Sequence, residues 1–181
     1  MKRFLMTLLV PIVLTGCDFL AGINTSQFPQ QERGVADGVP AGQRQLKDLQ
    51  QYGVILADSR EGTHIILPAD KLFWGTIDRV TINPDFQPAL NQLVYILKGY
   101  PKVKISIVGH TDGVMSANLE DKKSSEFAYT LSNYLTSAGL SPLRITSVRG
   151  VGNTQPIDRN NNITARAINR RVEVITEVPL K

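Results

Sequence analysis

The chain has 181 residues, with 20 lysines and arginines against 16 aspartates and glutamates. This length suits one domain with an appendage, and a composition that is 42% hydrophobic and 20% charged excludes a disordered chain and an integral membrane bundle. The single cysteine excludes an internal disulfide and the paired thiolates of a zinc site.

The first 16 residues are predicted to be a signal peptide. Lys2 and Arg3 precede an apolar run over residues 4–14, which is shorter than the roughly 20 residues that span a bilayer. Residues 14–17, Leu-Thr-Gly-Cys, resemble the bacterial lipobox, where signal peptidase II cuts before a lipidated cysteine. Cys17 is therefore the predicted lipidation site, and the alternative is an ordinary signal peptide with an incidental cysteine.

The mature chain is predicted to contain a tether and one domain. Residues 17–41 comprise the lipidated N-terminus and a flexible tether that is rich in Gln, Gly and Pro, and residues 42–181 form the domain. The basic excess lies in residues 140–181, which carry seven basic and three acidic side chains. These arginines are few and lack interleaved aromatic residues in a secreted chain, so nucleic-acid binding is not expected.

The first half of the domain is predicted to hold a helix, a hairpin and a second helix. A short helix is expected at residues 42–52, and two apolar runs, residues 53–57 and 63–67, flank a polar turn. The next helix starts at Asn83-Pro84 and ends at Gly99, because apolar residues recur at helical spacing: Phe86, Leu90, Leu93 and Leu97.

Alternating apolar residues predict strands at residues 102–108 and 171–178, and residues 144–149 are a further short strand candidate. A helix is predicted at residues 121–137, because apolar residues share one face: Phe127, Leu131, Tyr134 and Ala138. The order is of the βαβαβ type, which implies crossover connections. We therefore predict an α/β (α+β) fold, a mixed β-sheet with helices packed on it and an N-terminal hairpin.

The histidines do not indicate catalysis. His64 lies inside an apolar strand and is expected to be structural. His110 lies near Asp112, but the sequence has no strand-elbow serine and no third metal ligand. Gly150-Val-Gly152 lacks the rest of a phosphate-binding loop and is interpreted as a turn. No enzyme activity, cofactor or metal is predicted.

Two charged positions suggest a binding site. Asp112 follows the end of a buried strand, where ligands bind in crossover sheets, and its carboxylate can hold an ammonium group. Arg170 lies where a basic helix end meets the last strand, and an arginine fork favours carboxylates. Together they would suit a zwitterionic ligand. The alternative is that Asp112 caps the following segment and the arginines form a solvated face.

Four stretches resemble the OmpA-like C-terminal domain family, the peptidoglycan-associated module of Gram-negative envelopes. They are residues 67–73, 82–97, 103–112 (ending in Gly-His-Thr-Asp) and 169–174 (Asn-Arg-Arg-Val-Glu-Val). The resemblance implies binding of the diaminopimelate-containing stem peptide. The resemblance also implies that the Asp112 carboxylate contacts the ligand's amine, with Thr111 next to it and Arg170 lining the same pocket.

The sequence departs from the family pocket at two positions. The family's second arginine falls on Ala128, and its asparagine falls on Asp121 after a loop that is one residue longer. The ligand carboxylate would lose a charge-assisted bond of roughly 1.5–3 kcal/mol, and Asp121 would repel it. Lys122 or Lys123 could replace the arginine only as flexible point charges.

These features favour a structural or accessory subunit of an outer-membrane secretion complex near the cell wall. The chain is similar to the small OmpA-like lipoprotein of Dot/Icm type IVB secretion systems, which implies secretion-complex subunits as partners. The alternative is a genuine peptidoglycan anchor that tethers the outer membrane to the wall. We expect a lipid anchor on the periplasmic face of the outer membrane, with the inner membrane as the alternative because of Asp18.

Overall fold

The computed structural model describes residues 41–180 except residues 61, 77 and 78. The predicted signal peptide, Cys17 and the tether up to residue 40 lie outside the described residues, so these remain predictions. No helix among the described residues is long and apolar enough to cross a bilayer.

The described residues form five α-helices and seven β-strands. The helices are α1 (Ala41–Asp48), α2 (Ala69–Leu72), α3 (Gln87–Lys98), α4 (Ala117–Ser137) and α5 (Ile163–Asn169). The strands are β1 (Ile55–Asp58), β2 (Thr63–Pro68), β3 (Phe73–Gly75), β4 (Val80–Ile82), β5 (Ile105–His110), β6 (Ile145–Gly150) and β7 (Arg171–Thr176). Short 3₁₀ turns lie at Leu49–Tyr52, Pro84–Phe86 and Pro142–Arg144.

Five strands form one mixed sheet in the order β1-β2-β7-β5-β6, and β3 and β4 form a separate two-stranded sheet. Strands β5 and β6 run parallel with α4 as their crossover helix, and the other neighbours in the large sheet run antiparallel. The predicted fold class is confirmed, including the hairpin of β1 and β2. The last strand, β7, lies at the centre of the sheet.

Helices α3 and α4 form the core with the sheet. Leu90, Leu93 and Leu97 of α3 are fully buried, as their spacing predicts. The 3₁₀ turn Pro84–Phe86 leads into α3 and begins after Asn83, whose side chain accepts a hydrogen bond from the Asp85 backbone N–H at 3.0 Å. The predicted helix start at Asn83-Pro84 is therefore the start of this turn.

Helix α4 starts at Ala117, four residues before the predicted start at residue 121. The first turn has no apolar stripe that would reveal it. Glu120 in that turn is 1% exposed, and its Oε1 accepts a hydrogen bond from the Met115 backbone N–H at 2.7 Å. This bond ties the start of the helix to the preceding loop.

The β3–β4 hairpin was not predicted from the sequence. Its strands have three residues each, too few for a clear alternation. Phe73 of β3 stacks on Phe127 of α4 with ring centroids 4.7 Å apart and an interplanar angle of 3°. The hairpin therefore covers the outer part of the core through this aromatic pair.

Strand β5 and helix α4 approach so closely that only glycine fits at position 109. A Cβ atom there would lie 1.9 Å from the Ser124 carbonyl oxygen and 3.3 Å from the Ala128 backbone nitrogen. Both neighbours are backbone atoms of α4, so the clash could be relieved only by moving the helix. Because Asp112 follows β5 directly, this contact fixes the depth at which the strand presents it.

We predict that Gly109→Ala lowers the free energy of unfolding by about 1–3 kcal/mol or more, because overpacking separates α4 from the sheet. Urea denaturation of the full-length chain measures the change. The control is Gly99→Ala, at the exposed end of α3, where the nearest atom to a new Cβ is the Ile96 carbonyl oxygen at 3.1 Å. Equal stability of Gly109→Ala and wild type would contradict the prediction.

Candidate functional site

The candidate site lies where β5 ends and β7 begins. These strands are antiparallel neighbours, and His110 pairs with Arg171 in their register. Asp112, two residues after His110, and Arg170, one residue before Arg171, are therefore brought to the same edge of the sheet. Their predicted proximity is present in the structure.

Arg170 joins two carboxylates. Its Nη1 donates to Oδ2 of Asp112, while its Nε and Nη2 donate to Oδ1 and Oδ2 of Asp70 at 2.8 and 2.6 Å. The Asp112 side chain is 4% exposed, whereas those of Arg170 and Asp70 are 29% and 48% exposed. The hydrogen bonds with Asp70, together with those of Asp112, raise the pKa of Arg170 despite its partial burial. The three side chains carry a net charge of −1.

Sequence reasoning missed Asp70. It lies in the first turn of α2, directly after β2, and 100 residues before Arg170. The Ala69 backbone N–H also donates to the Arg170 carbonyl oxygen at 3.0 Å, which continues the pairing of β2 with β7. The residue belongs to one of the four stretches that resemble the family, but no local pattern indicates its partner.

Two asparagine side chains, here called the asparagine relay, form a chain of hydrogen bonds that ends at the backbone of Asp112. The Asn160 side chain donates to the Asp112 carbonyl oxygen at 2.8 Å, and Asn169 donates to the Asn160 side chain at 2.5 Å. Asn169 is fully buried and also accepts the backbone N–H groups of Ile157 and Asp158. The relay therefore links the loop before α5 to the loop that carries Asp112.

Thr111 is 3% exposed, and its backbone N–H donates to the Gly152 carbonyl oxygen at 3.0 Å. Its Oγ1 has no hydrogen-bond partner among the described residues. Gly150 ends β6, so the interpretation of Gly150-Val-Gly152 as a turn holds only for Gly152, which lies in a turn beside the site. Asp121 is exposed and near this turn, since its Oδ1 lies 2.9 Å from the position that a Cβ of Gly152 would take.

Ala128 lies in the core rather than on the wall of the site. It is fully buried, and its backbone contacts β5 at Gly109. An arginine side chain at this position would enter the core, so the geometry does not support Ala128 as a pocket position. The neighbouring Lys123 donates to the Thr76 carbonyl oxygen, and its Nζ lies 5.4 Å from the centre of the Phe127 ring.

A buried ionic network lies beneath the site. Glu173 is 8% exposed, and its Oε1 accepts a hydrogen bond from Nε of Arg171 at 2.8 Å. Its Oε2 lies 3.0 Å from Nδ1 of His64, and Nε2 of His110 lies 3.3 Å from Oε1. Arg171 also donates to the Gln155 carbonyl oxygen. Both histidines therefore contact one buried carboxylate, in agreement with a structural role.

The network shifts two pKa values. Burial, reinforced by the positive charge of Arg171, lowers the pKa of His110 to about 4, although Glu173 opposes the shift. Burial would raise the pKa of Glu173, but the hydrogen bond with His64 and the contacts with Arg171 outweigh it and lower that pKa. His110 is therefore neutral and Glu173 ionised at neutral pH.

Within the described residues, no group of three or more His, Cys, Asp or Glu side chains is arranged to hold a metal ion. The site instead has a nearly buried carboxylate, a guanidinium group and a second carboxylate at the surface. This arrangement can bind a cation by charge and hydrogen bonding, without a reacting group.

Comparison with known proteins identifies the family. A model of the OmpA family matches residues 76–170, more than half of the chain, and the chain belongs to that family. The fold and this family match together define an OmpA-like domain.

Two relatives and one solved structure illustrate the similarity. The chain is 28% identical to "Probable lipoprotein YiaD" of Escherichia coli over 78% of the chain and 64% of the relative. It is 32% identical to "Peptidoglycan-binding protein ArfA" of Mycobacterium tuberculosis over 54% of the chain and 30% of the relative. The chain thus spans less than two thirds of these relatives. The cell wall anchor of the type VI secretion system (T6SS) from Pseudomonas aeruginosa shares the fold, with a TM-score of 0.65, 24% identity, and coverage of 77% of the chain and 98% of that structure.

We predict that the free energy of unfolding falls by about 3 kcal/mol between pH 6.5 and pH 4 because of His110. In this window the unfolded chain binds a proton that the folded chain excludes, so stability decreases as the pH falls. The lowered pKa of Glu173 adds a further loss below its ordinary value of 4.5. Urea denaturation at a series of pH values measures the profile.

His110→Gln should flatten the profile between pH 6.5 and pH 4, because glutamine takes up no proton. His64→Gln is the control, since it removes the more exposed histidine of the same network and should leave most of the slope. An unchanged slope in His110→Gln would mean that another group causes the pH dependence.

Proposed function

We propose that this protein is a non-enzymatic anchor that binds peptidoglycan, with Asp112 as the residue that holds an ammonium group of the stem peptide. The observation that carries the proposal is the position of Asp112 at the open end of β5, in a cluster with a net negative charge. The family membership and the wall-binding relatives support the choice of ligand.

The environment of Asp112 suits recognition of a cation. Among the described residues, hydrogen bonds to its carboxylate come from Arg170 alone, through Oδ2. A carboxylate accepts up to about four hydrogen bonds, so further acceptor capacity remains for an ammonium group. Because the side chain is 4% exposed, such a bond is shielded from water and is stronger than a surface contact.

In this proposal the protein links a membrane to the cell wall, because its N-terminus carries a lipid and its domain binds peptidoglycan. A lipid on Cys17 would hold the chain at a membrane, and residues 17–41 would let the domain reach the wall. We place the membrane anchor in the outer membrane, with the inner membrane as the alternative because of Asp18. The domain then joins the membrane to peptidoglycan by non-covalent contacts.

A second candidate is the accessory subunit of a secretion complex of the Dot/Icm type IVB class. The fold shared with the T6SS cell wall anchor of P. aeruginosa favours a wall-proximal part of such a machine. The two functions are compatible, since a subunit can also bind the wall. Native extraction in mild detergent separates them: a secretion subunit migrates with a large assembly, and migration as a single chain contradicts this second function.

We predict that the full-length chain, kept in detergent, pellets with purified sacculi and that Asp112→Asn lowers its affinity about tenfold or more. The physical reason is the loss of a charge-assisted hydrogen bond. The matched control is Asp85→Asn, an exposed carboxylate that lines the same groove as Asp70.

A second version of the pelleting experiment changes the sacculi and leaves the protein unchanged. Sacculi whose amino groups have been acetylated should no longer retain the wild-type chain, because the ammonium charge is gone. Undiminished pelleting with acetylated sacculi would exclude ammonium recognition, and no pelleting with untreated sacculi would exclude wall binding.

A further inference from the structure

The fork of Arg170 is already occupied within the protein. A guanidinium group binds a carboxylate best when two parallel N–H groups meet its two oxygens. In Arg170 that face, formed by Nε and Nη2, meets both oxygens of Asp70. The remaining side, at Nη1, donates to Asp112. A ligand carboxylate would have to displace Asp70 to form the same two-point contact.

The backbone fixes Asp70 in this position. Pro68 pairs with Arg171 in the antiparallel register of β2 and β7, and the Ala69 N–H donates to the Arg170 carbonyl oxygen. Asp70 and Arg170 therefore come from two segments that are hydrogen-bonded to each other next to the ion pair. The side chains require little further ordering to meet, so the contact is preorganised.

Further negative charge lies on the other side of the site. Thr111, next to Asp112, donates to Gly152, and a Cβ at Gly152 would lie 2.9 Å from Oδ1 of Asp121 and 3.5 Å from Cβ of Glu120. Glu120 is 1% exposed, and its Oε2 has no hydrogen-bond partner in the described part of the chain. Glu120 and Asp121 thus add acidic groups next to the turn that contacts Thr111, while the fork of Arg170 is filled.

We propose that Asp70 is a specificity-determining residue that makes the site select an ammonium group without a free carboxylate beside it. The inference rests on the proposed function and names the ligand class within the wall. Diaminopimelate carries an ammonium and a carboxylate on the same side-chain carbon, and amidation converts that carboxylate into a neutral group. The site therefore prefers stem peptides with amidated diaminopimelate over those with the free acid.

A purely structural role of Asp70 predicts a different result. If Asp70 only held Arg170 in place, its removal would weaken binding of both ligands by the same factor. As a specificity-determining residue, Asp70 changes the ratio of the two affinities, because its loss opens the fork of Arg170 to the ligand carboxylate. The ratio, rather than either affinity alone, is therefore the decisive quantity.

The experiment measures dissociation constants of the full-length chain, kept in detergent, for two soluble muropeptides by isothermal titration calorimetry. The muropeptides are identical except that one carries diaminopimelate as the free acid and the other carries it amidated. For wild type we expect the amidated ligand to bind about fivefold more tightly or better, since like-charge contacts act against the free acid. Asp70→Ala should bring the ratio to one or reverse it.

Asp85→Ala is the matched control, because it removes a carboxylate from the groove that Asp70 also lines and should keep the wild-type ratio. Circular dichroism checks that Asp70→Ala folds, and the wild-type ratio tests the proposal even if that variant fails. If wild type binds the free acid as tightly as the amidated ligand, or more tightly, the inference is wrong but wall binding stands. The same conclusion follows if folded Asp70→Ala keeps the wild-type ratio of the two affinities. Failure to bind either ligand overturns the proposed function and the inference with it.

Discussion

The buried pair of Arg171 and Glu173 on the central strand is the interaction on which the site depends. Two charges removed from water cost several kcal/mol each unless every donor and acceptor is satisfied. Here Arg171 donates to Glu173 and to the carbonyl oxygens of Asn169 and Gln155. These bonds hold the start of β7 to the loop at Gln155, next to the segment that carries Arg170.

The position of Arg170 follows from the pattern of residues at the start of β7. On β7, Arg171 and Glu173 alternate with Val172 and Val174, so one face of the strand holds ions and the other enters the hydrophobic core. Arg170, immediately before this pattern, is left at the rim with its side chain 29% exposed. Arg170 therefore lies partly at the surface, while Arg171 and Glu173 beneath it are buried away from water. This separates a rigid, buried ionic base from the charged rim formed by Arg170 and Asp70.

The sequence was sufficient for the mixed sheet and the two long helices, which depend on a local period or on strand order that can be read along the chain. The meeting of Asp112 with Arg170 was implied by the family resemblance, whereas the residues alone left a capping role of Asp112 open. The hairpin of β3 and β4 and the first turn of α4 were missed, because neither has enough apolar residues to establish a period. Asp70 could not be assigned, since its role depends on a partner 100 residues away. The burial of Ala128 could not be read from the sequence either, because it depends on the contact of α4 with β5 at Gly109.

The ion pair of Asp70 and Arg170 also determines when the site can exist. Its two halves come from opposite ends of the domain, and the β2–β7 pairing brings them together. A chain interrupted between these residues, or still being synthesised, lacks the completed cluster. The cluster is thus completed only when the last strand, β7, pairs with β2.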